Sequence, residues 1–191
     1  MSTAINTSHA GASPGFDLSA IRDTLTKWLV GRPYLFSREA YQAELTVHFG
    51  DRRPYSSPKM ADKSRGTHVL SVRASAWMLQ SGTRPVMVSH GLAPLGSDGQ
   101  PRTGQAINPA VLESGNFVAS GATVERAEPL EVQGDPLGRI ALTVRLTDGT
   151  LLTILPSATD PTETLSDWEL LTPDGVLRVG PGFRFTVEGH G

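Results

Sequence analysis

At 191 residues, with 38% hydrophobic and 19% charged, the chain can bury a sizeable core, which excludes a disordered polymer. It has no cysteine, which excludes disulfide frameworks, thiolate zinc sites and thiol nucleophiles and fits a cytoplasmic setting. The net charge of −2 is unevenly divided, +5 over residues 1–95 and −7 over 96–191, a split that bears on partners or on how the halves meet.

The composition includes 20 glycines and 14 prolines, which favours many turns and short strands over long helices. Residues 1–15, MSTAINTSHAGASPG, are small and polar, with neither a basic nor an apolar segment of the kind a secretory signal needs, and are expected to form a flexible leader. No apolar run approaches the roughly 18 residues of a membrane helix, so no membrane partner is expected.

A first unit is expected over 16–95. Leu18, Ile21, Leu25, Trp28 and Leu29 share one helical face, with Asp17 placed to cap the start and Gly31 the end. In 44–49, Leu45, Val47 and Phe49 alternate with Glu44, Thr46 and His48, the period of a half-buried strand. A basic insertion follows at 52–66, carrying Arg52, Arg53, Tyr55, Lys59, Lys63 and Arg65. A strand holding Trp77 and Leu79 comes next, and residues 96–104 read as a linker.

A second unit is expected over 105–188. A short helix would start at Asn108, with Pro109 in its first position, and stop at Gly115. Leu142, Val144 and Leu146 alternate with polar residues up to Asp148-Gly149, a strong hairpin signal, with 150–155 as the return strand. An acidic loop at 156–167 carries Asp160, Glu163 and Asp167. A second hairpin begins at Trp168, turns at Pro173-Asp174-Gly175 and returns over 176–179. Residues 189–191 form a tail.

These units align with each other. ELTVHFGD (44–51) matches ALTVRLTD (141–148), SAWMLQSG (75–82) matches SDWELLTP (166–173), and Val88, Gly91 and Gly31 fall on Val179, Gly182 and Gly121. Landmarks in one shared order point to a tandem duplication. The expected fold is therefore α+β and β-rich: two diverged repeats, each a short helix plus a meander of about four to five antiparallel strands, packed about a pseudo-twofold. Trp77 and Trp168 hold equivalent places, each two residues before a leucine on a strand, so both read as core anchors and not as stacking platforms.

No catalytic constellation emerges. His48 beside Glu44 and Asp51 could act in acid–base chemistry, but its counterpart is Arg145, and a solvent-facing strand histidine accounts for it. His68 and His90 read as edge or turn residues, and His9 and His190 lie in the tails. No metal-ligand spacing, nucleophile elbow or phosphate-cradling loop is present, so no catalytic, metal or cofactor residue is assigned. The unmatched charged loops remain. Their residues Arg52, Arg53, Tyr55, Lys59, Lys63, Arg65, Asp160, Glu163 and Asp167 are the candidate partner-binding set.

The reading is a non-enzymatic protein-interaction module of bacterial type, an immunity, adaptor or regulatory protein, with a protein partner or self-association. One alternative is an enzyme or small-ligand barrel with a pocket between the two sheets and His48, Glu44 or Tyr55 at its mouth. A core filled by Trp77 and Trp168 would exclude such a pocket. A second is nucleic-acid contact through 52–65, which Asp51, Asp62 and a mildly acidic chain disfavour.

Overall fold

The computed structural model of the chain describes residues 18–39, 44–56, 63–73, 75–82, 84–89, 116–117, 121–156, 166–182 and 184–189. The expected leader, the linker at 96–104, the helix at 108–115, His9, His90 and His190 lie outside these residues.

Helix α1 spans Ser19–Leu29 and buries Ile21, Leu25, Trp28 and Leu29, the stripe its sequence spacing predicts. Leu18 occupies the cap position with no side-chain cap bond, and Asp17 lies outside the described residues. Gly31 ends the helix in the left-handed region, φ 80°, where glycine carries no Cβ penalty. Its N–H donates to Val124 O at 2.8 Å, and α1 packs against β7 (Val124–Glu131).

All strand pairings are antiparallel and form two sheets. The first unit supplies β1 (Tyr34–Glu39), β2 (Leu45–Pro54), β3 (Ser64–Val72), β4 (Ser75–Ser81) and β5 (Arg84–Val88). The rest are β6 (Asn116–Phe117), β7, β8 (Ile140–Leu146), β9 (Thr150–Pro156), β10 (Trp168–Thr172), β11 (Gly175–Gly180) and β12 (Arg184–Gly189). The seven-stranded sheet runs β12-β11-β10-β3-β2-β1-β6 and the five-stranded sheet β5-β4-β9-β8-β7. The strands therefore do not form one meander per half. β1 to β3 stay in the large sheet and β4 to β5 cross to the small one, while β7 to β9 stay in the small sheet and β10 to β12 cross to the large one. The halves meet where β3 pairs with β10, β4 with β9 and β1 with the short β6.

One core fills the space between the sheets. Leu45, Val47 and Phe49 of β2, Leu142, Val144 and Leu146 of β8, and the helix stripe all enter it. Trp77 and Trp168 are 0% exposed, and Leu79 and Leu170 point inward beside them, so the Trp-x-Leu spacing does place both residues on the buried face. Trp168 Nε1–H donates to Ile140 O at 3.0 Å, satisfying the indole's one polar atom. Among the described residues the void between the sheets, beside Tyr34, Val47, Leu79 and Leu152, is about 10 Å³, room for no more than one water. Among the described residues, the tryptophans and their aliphatic neighbours fill the space where the alternative reading put a pocket.

The expected turns form as the residues dictate. Gly149 adopts φ 84° in the β8–β9 hairpin, and Asp148 Oδ1 accepts from Thr150 N–H at 2.9 Å. In the β10–β11 hairpin, Thr172 Oγ1 accepts from the N–H groups of Asp174 and Gly175 at 3.2 and 3.1 Å.

Candidate functional site

The site is built on the outer face of the large sheet. Strand register places Phe36, His48, Val69, Leu171 and Val176 in one straight row across β1, β2, β3, β10 and β11. The adjacent row reads Arg38, Thr46, Ser71, Glu169, Arg178 and Thr186. An apolar row thus borders a polar one on a face that a two-layer sandwich would usually leave wet.

Beyond the apolar row, Arg73, Glu169, Arg178 and Glu188 form a chain of ion pairs. Glu169 sits 3.8 Å from Arg73 and 3.4 Å from Arg178, and Arg178 reaches Glu188 at 2.8 Å. The Glu188 hydrogen bond raises the Arg178 pKa. Glu44 pairs with Arg73 at 3.9 Å and lies away from the groove described next.

Above the row stands the far end of the β2–β3 hairpin. Between Phe49 and Arg52 the register slips, with Gly50 at φ 80° and Asp51 N–H held by Thr67 Oγ1 at 3.0 Å. Such a bulge bends its strand, so the hairpin continues as an arm with Arg52 opposite Gly66, Arg53 opposite Arg65 and Pro54 opposite Ser64. Gly66 is obligatory here, since a Cβ would collide with the Phe49 backbone.

The arm and the sheet face enclose an open groove of about 890 Å³. Its floor is Thr46, His48, Val69, Leu171 and Val176, its wall Arg53, Pro54, Tyr55 and Arg65, and its end Thr172 and Pro173. Leu171 is 37% exposed, and the Arg65 guanidinium lies 5.9 Å from the Tyr55 ring centroid. Arg38 and Arg52 similarly flank Phe36, at 5.7 and 5.6 Å.

His48 is not the solvent-facing residue that alternation suggests. It is 3% exposed, stacked on Phe36 with centroids 4.3 Å apart, and its Nδ1 accepts from Gly66 N–H at 3.2 Å. Burial foremost, then the charges of Arg38 and Arg65, push its pKa down to about 4, so it is neutral at pH 7. With Nδ1 accepting, the ring proton belongs on Nε2. His68, read as an edge residue, is also buried, on the inward face of β3. Its Nδ1 lies 3.0 Å from Thr67 Oγ1, its Nε2 has no hydrogen-bond partner among the described residues, and burial lowers its pKa.

The predicted binding residues fare differently. Arg52, Arg53 and Arg65 sit on strands and not in a loop; together with Tyr55 and Lys63 they form the arm. Lys59, Asp160 and Glu163 lie outside the described residues. Asp167 offers no surface charge, being 1% exposed: its backbone N–H donates to Val179 O, and its carbonyl accepts from Arg73 N–H and Ser75 Oγ. Arg52, Arg53, Lys63 and Arg65 make no ion pair among the described residues.

The apolar floor escaped the sequence reading, although a signal was present. Leu170-Leu171 and Val176-Leu177 are apolar doublets that break the period of two, so one member of each must face outward. No cluster of three or more potential metal ligands occurs among the described residues, nor does any helix among them have the length and apolarity to cross a membrane. Comparison with protein-family models, curated proteins and solved structures finds nothing that matches this chain.

Proposed function

We propose that this chain is a non-enzymatic interaction module, built from two diverged copies of one unit, which meets a protein partner through the basic arm of β2 and β3. Support for the duplication comes from parallel local devices. Gly31 and Gly121 precede the first strand of each half at φ 80° and 79°. Gly50 N–H donates to Pro33 O at 2.8 Å, and its counterpart Thr147 N–H donates to Thr123 O at 2.9 Å. Each half forms a three-strand meander and then crosses to the other sheet, beside the third strand of its mate.

One observation carries the functional reading: four cations that make no ion pair among the described residues project on an arm that the second, acidic half does not reproduce. Exposed charge not taken up by an ion pair is available for steering and docking an acidic surface. The lack of cysteine fits a cytoplasmic setting for this contact. The test compares tagged wild type with the triple variant R52E/R53E/R65E expressed in the native host. Cross-linking should capture a protein with the wild type only, and that protein, once purified, should bind the wild type directly. Equal capture by both chains would end the reading.

A second reading, a small-ligand site, is favoured by the volume of the groove, which lies within the roughly 300–1,000 Å³ range of ligand pockets. Nucleic-acid contact has less support, since the arm presents Tyr55 as its one aromatic beside Asp51.

A further inference from the structure

We infer that the groove binds a small amphipathic organic acid, its apolar body lying on Val69, Leu171 and Val176 and its acidic group held between Arg53 and Arg65. This rests on the second reading above and names the ligand chemistry of that site.

Two independent features lead there. The first is the floor. Val69, Leu171 and Val176 are consecutive cross-strand neighbours, flanked by a histidine that carries no charge at pH 7. In the polar row beyond, Arg178 is held by Glu169 and Glu188. Leu171, 37% exposed beside the half-buried Val69, gains from being covered, and an apolar body fits this floor.

The second feature is the wall. Arg53 and Arg65 are direct cross-strand partners, so their side chains leave the arm on the same side, and both border the groove. Like charges placed directly opposite destabilise a strand pair. Neither has an ion pair among the described residues to relieve this. A carboxylate between them removes the repulsion and can be held by guanidinium forks, geometry that lysine could not supply. The unliganded arm therefore carries a local cost that an anion in the groove offsets.

The probes are sodium octanoate, octan-1-ol, octylammonium and acetate, titrated into the full ¹⁵N-labelled chain. Octanoate should saturate, shift the amides of Val69, Leu171 and Val176, and bind about tenfold tighter than octanol or more. Octylammonium and acetate should not saturate. In R53Q/R65Q the advantage of octanoate over octanol should vanish while the urea midpoint stays level or rises, since the like-charge pair is gone. In L171D both should lose binding.

Equal affinity for octanoate and octanol, saturation by acetate at the same amides, or no saturable response to octanoate would each overturn the inference. Loss of octanoate binding together with a fall in the urea midpoint of R53Q/R65Q would overturn it too, because the arginines would then be supporting the fold. The partner reading is tested separately: if octanoate fails while capture of the protein partner remains arginine-dependent, this inference falls and that one stands.

Discussion

His48 is covered on one side by the Phe36 ring and bound at Nδ1 by the Gly66 amide, so its outward-pointing position does not expose it to water. In the unfolded chain a histidine takes up its proton near 6.5, whereas folded His48 holds out until about 4. Between those values unfolding binds a proton. The stabilisation is therefore whole above pH 6.5 and is lost as pH falls toward 4, by up to about 1.4 kcal/mol per pH unit for this group. His68, shifted in the same direction by burial and then Arg32, adds in the same sense. Urea midpoints should fall between pH 7 and 4, and His48→Gln should flatten that dependence; an unchanged slope in the variant would contradict it. Trp168 poses the complementary case of a buried ring whose polar atom is satisfied. Trp168→Phe deletes the bond to Ile140 O and leaves a partial void, and should cost about 1–3 kcal/mol in urea unfolding. A loss below about 0.5 kcal/mol would mean that the hydrogen bond and the packing there are dispensable.

The hairpins were the most legible elements, because Asp148-Gly149 and Pro173-Asp174-Gly175 specify turns by local chemistry alone. Their two glycines nevertheless do different jobs. Gly149 has open space around the site of a Cβ and is required only for its positive φ, whereas a Cβ on Gly175 would meet the Glu188 carbonyl of β12. Gly149→Ala should therefore cost about 1–2 kcal/mol, and Gly175→Ala more, because β12 must also shift. Matched thermal or urea unfolding of the two variants checks the order, and the reverse order would mean that β12 yields easily. The arm was less legible. A register slip at Gly50 and Asp51 has no periodic signature, so 52–66 read as a loop although Arg52, Arg53 and Arg65 continue the strands. The groove stayed hidden for a related reason. Period-two reasoning assigns each strand one apolar face, and Leu171 and Val176 are the residues that break it.

At the scale of the molecule, the core residues were readable from alternation and helical spacing, but the crossing of the two halves was not. Alternation says which face of a strand is buried, not which sheet the strand joins. That choice depends on pairings between residues far apart in the chain, Val72 with Trp168 and Trp77 with Ile154. The crossing has a consequence that a simple side-by-side arrangement would lack. Without the second half, β3 loses β10 and becomes an edge that exposes Leu70 and Val72; without the first, β9 loses β4 and exposes Leu152 and Ile154. Neither half retains a closed core, and each would present unpaired strand edges, which favour aggregation. Fragments 1–100 and 101–191 should therefore lack cooperative unfolding and native tryptophan fluorescence when produced alone. Co-expressed, they should assemble into a one-to-one complex with both properties restored, since the β3·β10 and β4·β9 ladders and the shared core need no covalent link. Cooperative melting of either isolated fragment would show that the halves are independent domains, and failure of the pair to assemble would show that the connecting segment, rather than the crossed ladders, holds them together.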